Sequence, residues 1–186
     1  MRSILRLKNM LIGGCLLLCL ACLGCLLISK TFTIVIYIED PITATAQDED
    51  DQVGWESVNL EDNDIWKDHK DEIKNIQSVE FYVKIKNNDP SVIASGQVYV
   101  SEEKLPTPTV EAIKNNAILV LDGISVQPNE EKEIEREESV QYLKNIEKLM
   151  ELIKGGTFYF YGSAYETPFS VTFSETAIII SFTAGP

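Results

Sequence analysis

The sequence has few of the side chains on which most catalytic and metal sites depend. It contains one histidine, His69, and its four cysteines all lie between residues 15 and 25. Thiol catalysis, cysteine-ligated zinc and disulfide bonds are therefore excluded for the rest of the chain. A lone histidine beside Trp66 in an amphipathic segment predicts a partly buried packing residue rather than a ligand. We expect no catalytic residue, no bound metal and no cofactor.

Basic residues are also scarce beyond the N-terminus. Residues 1–30 contain four of the 16 lysines and arginines and none of the 29 acidic residues, which leaves 12 basic against 29 acidic residues in the remainder. A surface of this sign repels phosphate backbones and anionic lipid headgroups. We therefore expect no nucleic-acid partner, and no membrane contact beyond the N-terminal segment.

Residues 10–29 form an apolar run of twenty residues. At about 1.5 Å per residue this run is long enough to cross a hydrocarbon core of roughly 30 Å. Three basic residues precede the run and one follows it, which orients the N-terminus toward the cytoplasm. The pattern predicts an N-terminal membrane anchor over residues 1–30, a single-pass transmembrane helix, with the rest of the chain outside the cytoplasm.

Cleavage of this segment is the alternative, because a secretory signal sequence has the same charge pattern. Cys22 and Cys25 each follow a small residue, as the modified cysteine of a lipoprotein does, and cysteines near a membrane are common acylation sites. Each candidate has another cysteine at the third position before it, and the sequence stays apolar through Ile38. We favour an uncleaved span that contacts the lipid bilayer, and we keep Cys22 and Cys25 as candidate lipidation sites.

Residues 31–62 separate the anchor from the predicted domain. Residues 31–38 are β-branched and aromatic, which predicts either an extension of the span or a first strand. Residues 39–61 contain Pro41, an acidic cluster at 48–51 and few apolar side chains. This composition predicts a solvated linker that holds the domain away from the bilayer. Clustered carboxylates also attract calcium, although Val53 stands where an EF-hand loop beginning at Asp48 needs its glycine.

Residues 63–186 have the pattern of one β-rich domain. A spacing of three or four residues between apolar side chains predicts a short helix over 64–76, with Asp64 as its N-cap. Strict alternation from Val79 to Ile85 predicts a strand with one buried face. A helix is predicted over 139–154, capped by Ser139, and further strands at 94–101, 117–121, 124–126, 158–163, 169–174 and 177–183. The sum is a mainly β, antiparallel sandwich with one inserted helix, such as an immunoglobulin-like sandwich.

The order of these elements resembles that of the water-stress and hypersensitive-response domain of group 2 late embryogenesis abundant proteins. The resemblance rests on the alternating strand and asparagine turn VEFYVKIKNN at 79–88, and on a single helix at 139–154 ahead of closing strands at 157–183. It covers about residues 77–184. It implies a late-embryogenesis-abundant-like sandwich with a non-enzymatic structural or stress-protective role, often behind a membrane anchor.

Three tyrosines near the C-terminus are candidates for partner binding. Tyr159 and Tyr161 share one face of a predicted strand and Tyr165 follows it, and side-by-side exposed tyrosines can stack on a sugar ring or anchor a protein. A second buried face of the sheet explains them as well. The almost wholly charged stretch at 130–138 predicts a strand edge or loop that discourages edge pairing.

The sequence thus predicts a membrane-anchored, extracytoplasmic sandwich that acts by binding an unidentified protein or glycan, or by structural support. One alternative is a carboxylate-based hydrolase, which requires two carboxylates in a concave pocket and at least one raised pKa. Another is a calcium-dependent adhesion module that uses the acidic cluster at 48–51.

Overall fold

The computed structural model describes residues 29–38, 40–46 and 53–185 of the chain, without the side chains of 53–55. Its strands are β1 (Lys30–Ile38), β2 (Ile42–Ala46), β3 (Val53–Asn59), β4 (Ile73–Asn87), β5 (Ala94–Ser101), β6 (Ile118–Val126), β7 (Glu131–Ile134), β8 (Thr157–Ala164) and β9 (Phe169–Ala184). Its α-helices are α1 (Asp64–His69), α2 (Val110–Asn116), α3 (Arg136–Ser139) and α4 (Ile146–Ile153). Single 3₁₀ turns lie at Leu60–Asp62, Lys70–Glu72 and Val140–Tyr142.

The strands form two antiparallel sheets. Sheet A has the order β1-β9-β4-β7, with β2 also paired to β9, and sheet B has the order β3-β8-β5-β6. The pairing is nested: β1 pairs with β9, β3 with β8, β4 with β7 and β5 with β6. Nested pairing of this kind, split over two sheets, defines a jelly roll.

The predicted mainly β, antiparallel sandwich is therefore confirmed. The strand order differs from the immunoglobulin-like one, in which the first two strands of the chain are neighbours in one sheet. Here β1 and β3 lie in different sheets, and β2 continues the edge that β1 begins. Strand order follows from long-range pairing and leaves no mark on local periodicity.

The core lies between the two sheets. As the alternation predicts, Val79, Phe81, Val83 and Ile85 of β4 are all buried. Near one end of the sandwich Trp66 meets the ring of Phe182 edge-on, with centroids 5.5 Å apart. His69 packs beside this core, because its ring lies 4.0 Å from that of Phe32. The prediction of a packing histidine agrees with this contact.

Residues 31–62 do not form a linker where the structure describes them. Residues 31–38 belong to β1, the strand alternative, while β2 and β3 pair with β9 and β8. The predicted domain boundary at 63 is therefore wrong, and the sandwich begins at Lys30. β2 was missed because this short segment, ITATA, lies between Pro41 and the acidic cluster at 48–51, and its pairing with β9 is not visible in local sequence. The acidic cluster at 48–51 lies outside the described residues.

This correction changes the predicted relation between anchor and domain. Since β1 begins at Lys30, no spacer separates the apolar run from the sandwich. The predicted anchor lies outside the described residues except for its last two positions. Within the described part of the chain, no helix has both the length and the apolar character that crossing a bilayer requires.

The helix predicted over 64–76 is shorter than expected. α1 ends at His69, and Ile73 and Ile76 belong to β4. The N-cap is Asn63, whose Oδ1 accepts a hydrogen bond from the backbone N–H of Trp66 at 3.2 Å, so Asp64 is the first helical residue. Packing on Phe182 turns Trp66 inward to 1% exposure and leaves Ile65 42% exposed.

The continuous helix predicted over 139–154 is wrong. Residues 143–145 interrupt it, because Leu143 forms a bridge with Leu121 and the N–H of Lys144 donates to the carbonyl of Val120 at 2.9 Å. Asn145 then takes a left-handed conformation, with φ of 48°, before α4 begins. Pairing with β6 has thus replaced one turn of helix. The predicted C-terminal end at 154 agrees with the structure, since α4 ends at Ile153, shortly before Gly155 and Gly156.

Ser139 is the last residue of α3 rather than an N-cap. Its side chain is buried, where its Oγ accepts from the N–H of Phe81 at 3.1 Å and donates to the carbonyl of Arg136 at 2.7 Å. The hydroxyl therefore closes the edge of β4 beyond the end of β7.

Candidate functional site

Tyr161, one of the three predicted binding tyrosines, lies in a second core. The outer face of sheet B is covered by α2 and the loop at 102–109, and Tyr161 packs there with Tyr99 and Ile113. Its exposure is 0%, and its hydroxyl accepts a hydrogen bond from the N–H of Leu105 at 2.8 Å. A partner cannot reach this ring, so the buried-face alternative is correct for Tyr161.

Tyr159 and Tyr165 do not form an exposed row of binding tyrosines with Tyr161. Tyr159 is half-buried against the same cluster. Tyr165 is 49% exposed, and its hydroxyl donates to Oδ1 of Asp122 at 2.5 Å. Burial and this hydrogen bond raise the pKa of Tyr165 to about 12, while the bond lowers the pKa of Asp122. This pair fastens the end of β8 to β6.

A different exposed aromatic residue borders an open depression on the described surface. Tyr37 of β1 is 70% exposed. It borders an open groove of about 710 Å³, which we call the Tyr37 groove. The groove is lined by Tyr37, Ile38, Pro41, Tyr82, Ser174, Glu175, Thr176 and Ala177.

Strand register builds the centre of the Tyr37 groove. Ala177 of β9 lies directly opposite Tyr37 on one side and Tyr82 on the other. Residues directly opposite each other in antiparallel strands project to the same face of the sheet, here the outer face of sheet A. Two aromatic rings therefore flank one small side chain, and the small side chain forms the floor between them.

A β-bulge builds the end of the groove. Tyr82 and Lys84 are two residues apart on β4, but they oppose Ala177 and Ser174, which are three residues apart on β9. The extra length is accommodated at Glu175, whose φ is 47°. A bulge re-aims neighbouring side chains, and here it directs Glu175 toward the outer face, where it meets Lys84.

The rim of the groove carries more negative than positive charge. Nζ of Lys84 lies 2.8 Å from Oε2 of Glu175, and the Tyr82 hydroxyl donates to Oε1 of Glu133 at 2.6 Å. The hydrogen bond to Glu133 raises the pKa of Tyr82, so the phenol stays neutral. The hydrogen bond to Glu175 raises the pKa of Lys84. Two carboxylates and one ammonium leave a net charge of about −1 at this rim.

Three carboxyl groups and the acidic cluster at 48–51 bear on the hydrolase and calcium alternatives. The described carboxyl groups whose pKa values depart from the usual range, Glu80, Asp89 and Asp122, all depart downward, whereas a carboxylate hydrolase needs a raised one. The described residues include no group of three or more histidine, cysteine or carboxylate side chains placed to hold a metal ion. The acidic cluster of the calcium alternative, and the candidate lipidation sites Cys22 and Cys25, lie outside the described residues.

Sequence reasoning missed this groove although part of its signal was visible. Tyr82 falls on the solvent side of the alternation in β4, and Tyr37 falls in a segment for which a membrane span was an alternative. Their adjacency depends on the pairing of β1 and β4 with the same residue of β9, which local sequence cannot reveal.

Comparison with known proteins gives no family for this chain. No family model matches the sequence, and no curated protein matches it significantly. The resemblance to late embryogenesis abundant proteins therefore stays a prediction.

Solved structures of low similarity are found. One, from Desmodium yellow mottle tymovirus, is 11% identical, with a TM-score of 0.32 over 84% of this chain and 89% of that one. The VP2 protein of infectious bursal disease virus is 8% identical, with a TM-score of 0.39 over 82% of this chain and 36% of that one. PorU from Porphyromonas gingivalis is 8% identical, with a TM-score of 0.32 over 86% of this chain and 13% of that one. At such TM-scores these likenesses carry no conclusion, and the class of the protein, an acidic jelly-roll sandwich, rests on its own strand order.

Proposed function

We propose that this chain is a membrane-tethered binding module without enzymatic activity, and that the Tyr37 groove holds its ligand. The observation that carries this function is the exposure of Tyr37 beside an open groove whose shape is set by sheet register and a bulge. A tyrosine ring held 70% in solvent at the edge of a depression offers apolar contact area and a polar hydroxyl to another molecule.

The tether in this proposal is the apolar run at 10–29, with the N-terminus in the cytoplasm and the sandwich outside it. β1 begins at Lys30, so the sandwich is attached at the bilayer by the first residue of an edge strand. Tyr37 lies seven residues further along β1, about 23 Å away at 3.3 Å per residue. A β1 strand that runs along the bilayer normal sets the groove back from the lipid headgroups, where a soluble or neighbouring molecule can reach it.

Direct binding tests the proposed function. The full chain, in a non-ionic detergent micelle, is applied to an immobilised panel of neutral glycans, basic peptides and acidic peptides. We expect retention on at least one class, with loss of retention in Tyr37→Ala. The matched control is Ile93→Ala, which truncates another exposed apolar residue in the loop between β4 and β5. Equal behaviour of both variants with every class on the panel would refute binding through the groove.

A further inference from the structure

The spacing of the two tyrosines limits what can lie between them. Tyr37 and Tyr82 are each one strand from Ala177, so their backbones are separated by about 9.6 Å, twice the 4.8 Å distance between neighbouring strands. The exposed ring of Tyr37 borders this space, whereas the Tyr82 hydroxyl is held by Glu133 of β7, on the far side of β4. The space above Ala177 therefore admits one compact group in contact with the Tyr37 ring.

The charge around the groove further restricts which group can bind there. Glu133 is held at the Tyr82 hydroxyl, and Glu175 stands at the bulge with its side chain 61% exposed. Lys84 offsets one of these carboxylates. The aromatic faces add negative potential of their own, because the quadrupole of a phenol ring attracts cations. An anionic group is repelled here, and a cationic group gains from both the rings and the carboxylates.

A guanidinium meets both limits. It is planar, permanently charged and weakly hydrated, it stacks on aromatic rings, and its N–H groups match a carboxylate. The chain beyond residue 30 has 12 basic against 29 acidic residues, so its field draws a basic partner toward the surface. We propose that the Tyr37 groove binds an arginine side chain from a basic segment of a protein partner. This inference rests on the proposed function, because it assigns a ligand class to the same groove.

Calorimetric titration of the full chain with acetylated triarginine amide tests it. We expect binding that weakens as salt rises, and that weakens roughly threefold to thirtyfold in Tyr37→Ala, the range of one cation–π contact. Tyr37→Phe keeps the ring and is expected to bind as the unchanged chain does. Glu175→Gln is expected to weaken binding, and its matched control Glu111→Gln, which removes an exposed carboxylate on α2, is not.

The possible outcomes distinguish failure of the arginine assignment from failure of the proposed binding function. Equal loss in Glu175→Gln and Glu111→Gln would mean diffuse attraction to an acidic surface, and would overturn the arginine site. Binding of maltotriose in place of triarginine, with the same dependence on Tyr37, would overturn the ligand class but leave a binding groove. No effect of Tyr37→Ala on any ligand would overturn the ligand class and the proposed function together.

Discussion

Replacing Asn87 by alanine should destabilise the sandwich far more than the same change at its neighbour. The Asn87 side chain is fully buried at the end of β4. Its Nδ2 donates to the carbonyl of Val92 at 2.8 Å and to that of Val126 at 3.1 Å, and its Oδ1 accepts from the N–H of Asp89 at 3.0 Å. Because Val126 belongs to β6, this side chain joins sheet A to sheet B.

The magnitude follows from those three bonds. Each buried hydrogen bond contributes about 1 kcal/mol, and the partners left in the core keep their desolvation penalty, so Asn87→Ala should lower the free energy of unfolding by about 3 kcal/mol. For a domain of this size that corresponds to a fall in Tm of about 6 to 12 °C. The Asn88 side chain is exposed and its Nδ2 donates to hydroxyls of the outer face, so Asn88→Ala, which keeps the backbone N–H, should change stability by less than about 0.5 kcal/mol.

Thermal and urea unfolding of the full chain in non-ionic detergent, followed by near-ultraviolet circular dichroism, measures both variants. The neighbouring asparagine is a matched control, since it has the same side chain and differs in burial. Equal stability of Asn87→Ala and Asn88→Ala would refute the argument that this amide links the two sheets.

Three further predictions concern packing and pH. Gly96→Ala places its Cβ 2.5 Å from the carbonyl oxygen of Ser163, so β5 and β8 must separate, and the urea midpoint should fall by the equivalent of about 1 to 3 kcal/mol. Tyr161→Phe removes the acceptor of the Leu105 N–H and should cost about 1 to 3 kcal/mol by the same measurement. Backbone N–H groups of its own turn lower the pKa of Asp89, so its contribution to stability is present above about pH 4 and is lost as pH falls through the lower folded value. Asp89→Asn should flatten this acid dependence, and an unchanged pH profile of the urea midpoint would contradict it.

Strong local alternation is the feature that the sequence reveals best. β5 and β8 were predicted close to their observed bounds, and residues 79–85 were correctly predicted as a strand, although β4 begins six residues earlier. β9 is one strand where two were predicted, at 169–174 and 177–183. Whether two short apolar segments belong to one strand was harder to predict. β6 was split in two at Gly123, which takes a φ of 90° within a single strand.

Tertiary contacts decided the elements that were mispredicted. Residues 139–154 carry a clear apolar stripe at helical spacing. However, Leu143 and Lys144 pair with the edge of β6 instead of continuing the helix. β2 is stabilised by its pairing with β9 more than by its own composition. The Tyr37 groove also depends on tertiary contacts, because only strand register brings residues 37, 82 and 177 together.

The central claim is that the apolar run stays attached to the native protein and leads directly into β1. The intact mass of the chain extracted from membranes tests it most directly. We predict a mass that includes residues 10–29. A chain that begins at either cysteine with a lipid attached, or one recovered from the aqueous fraction without this segment, would contradict it.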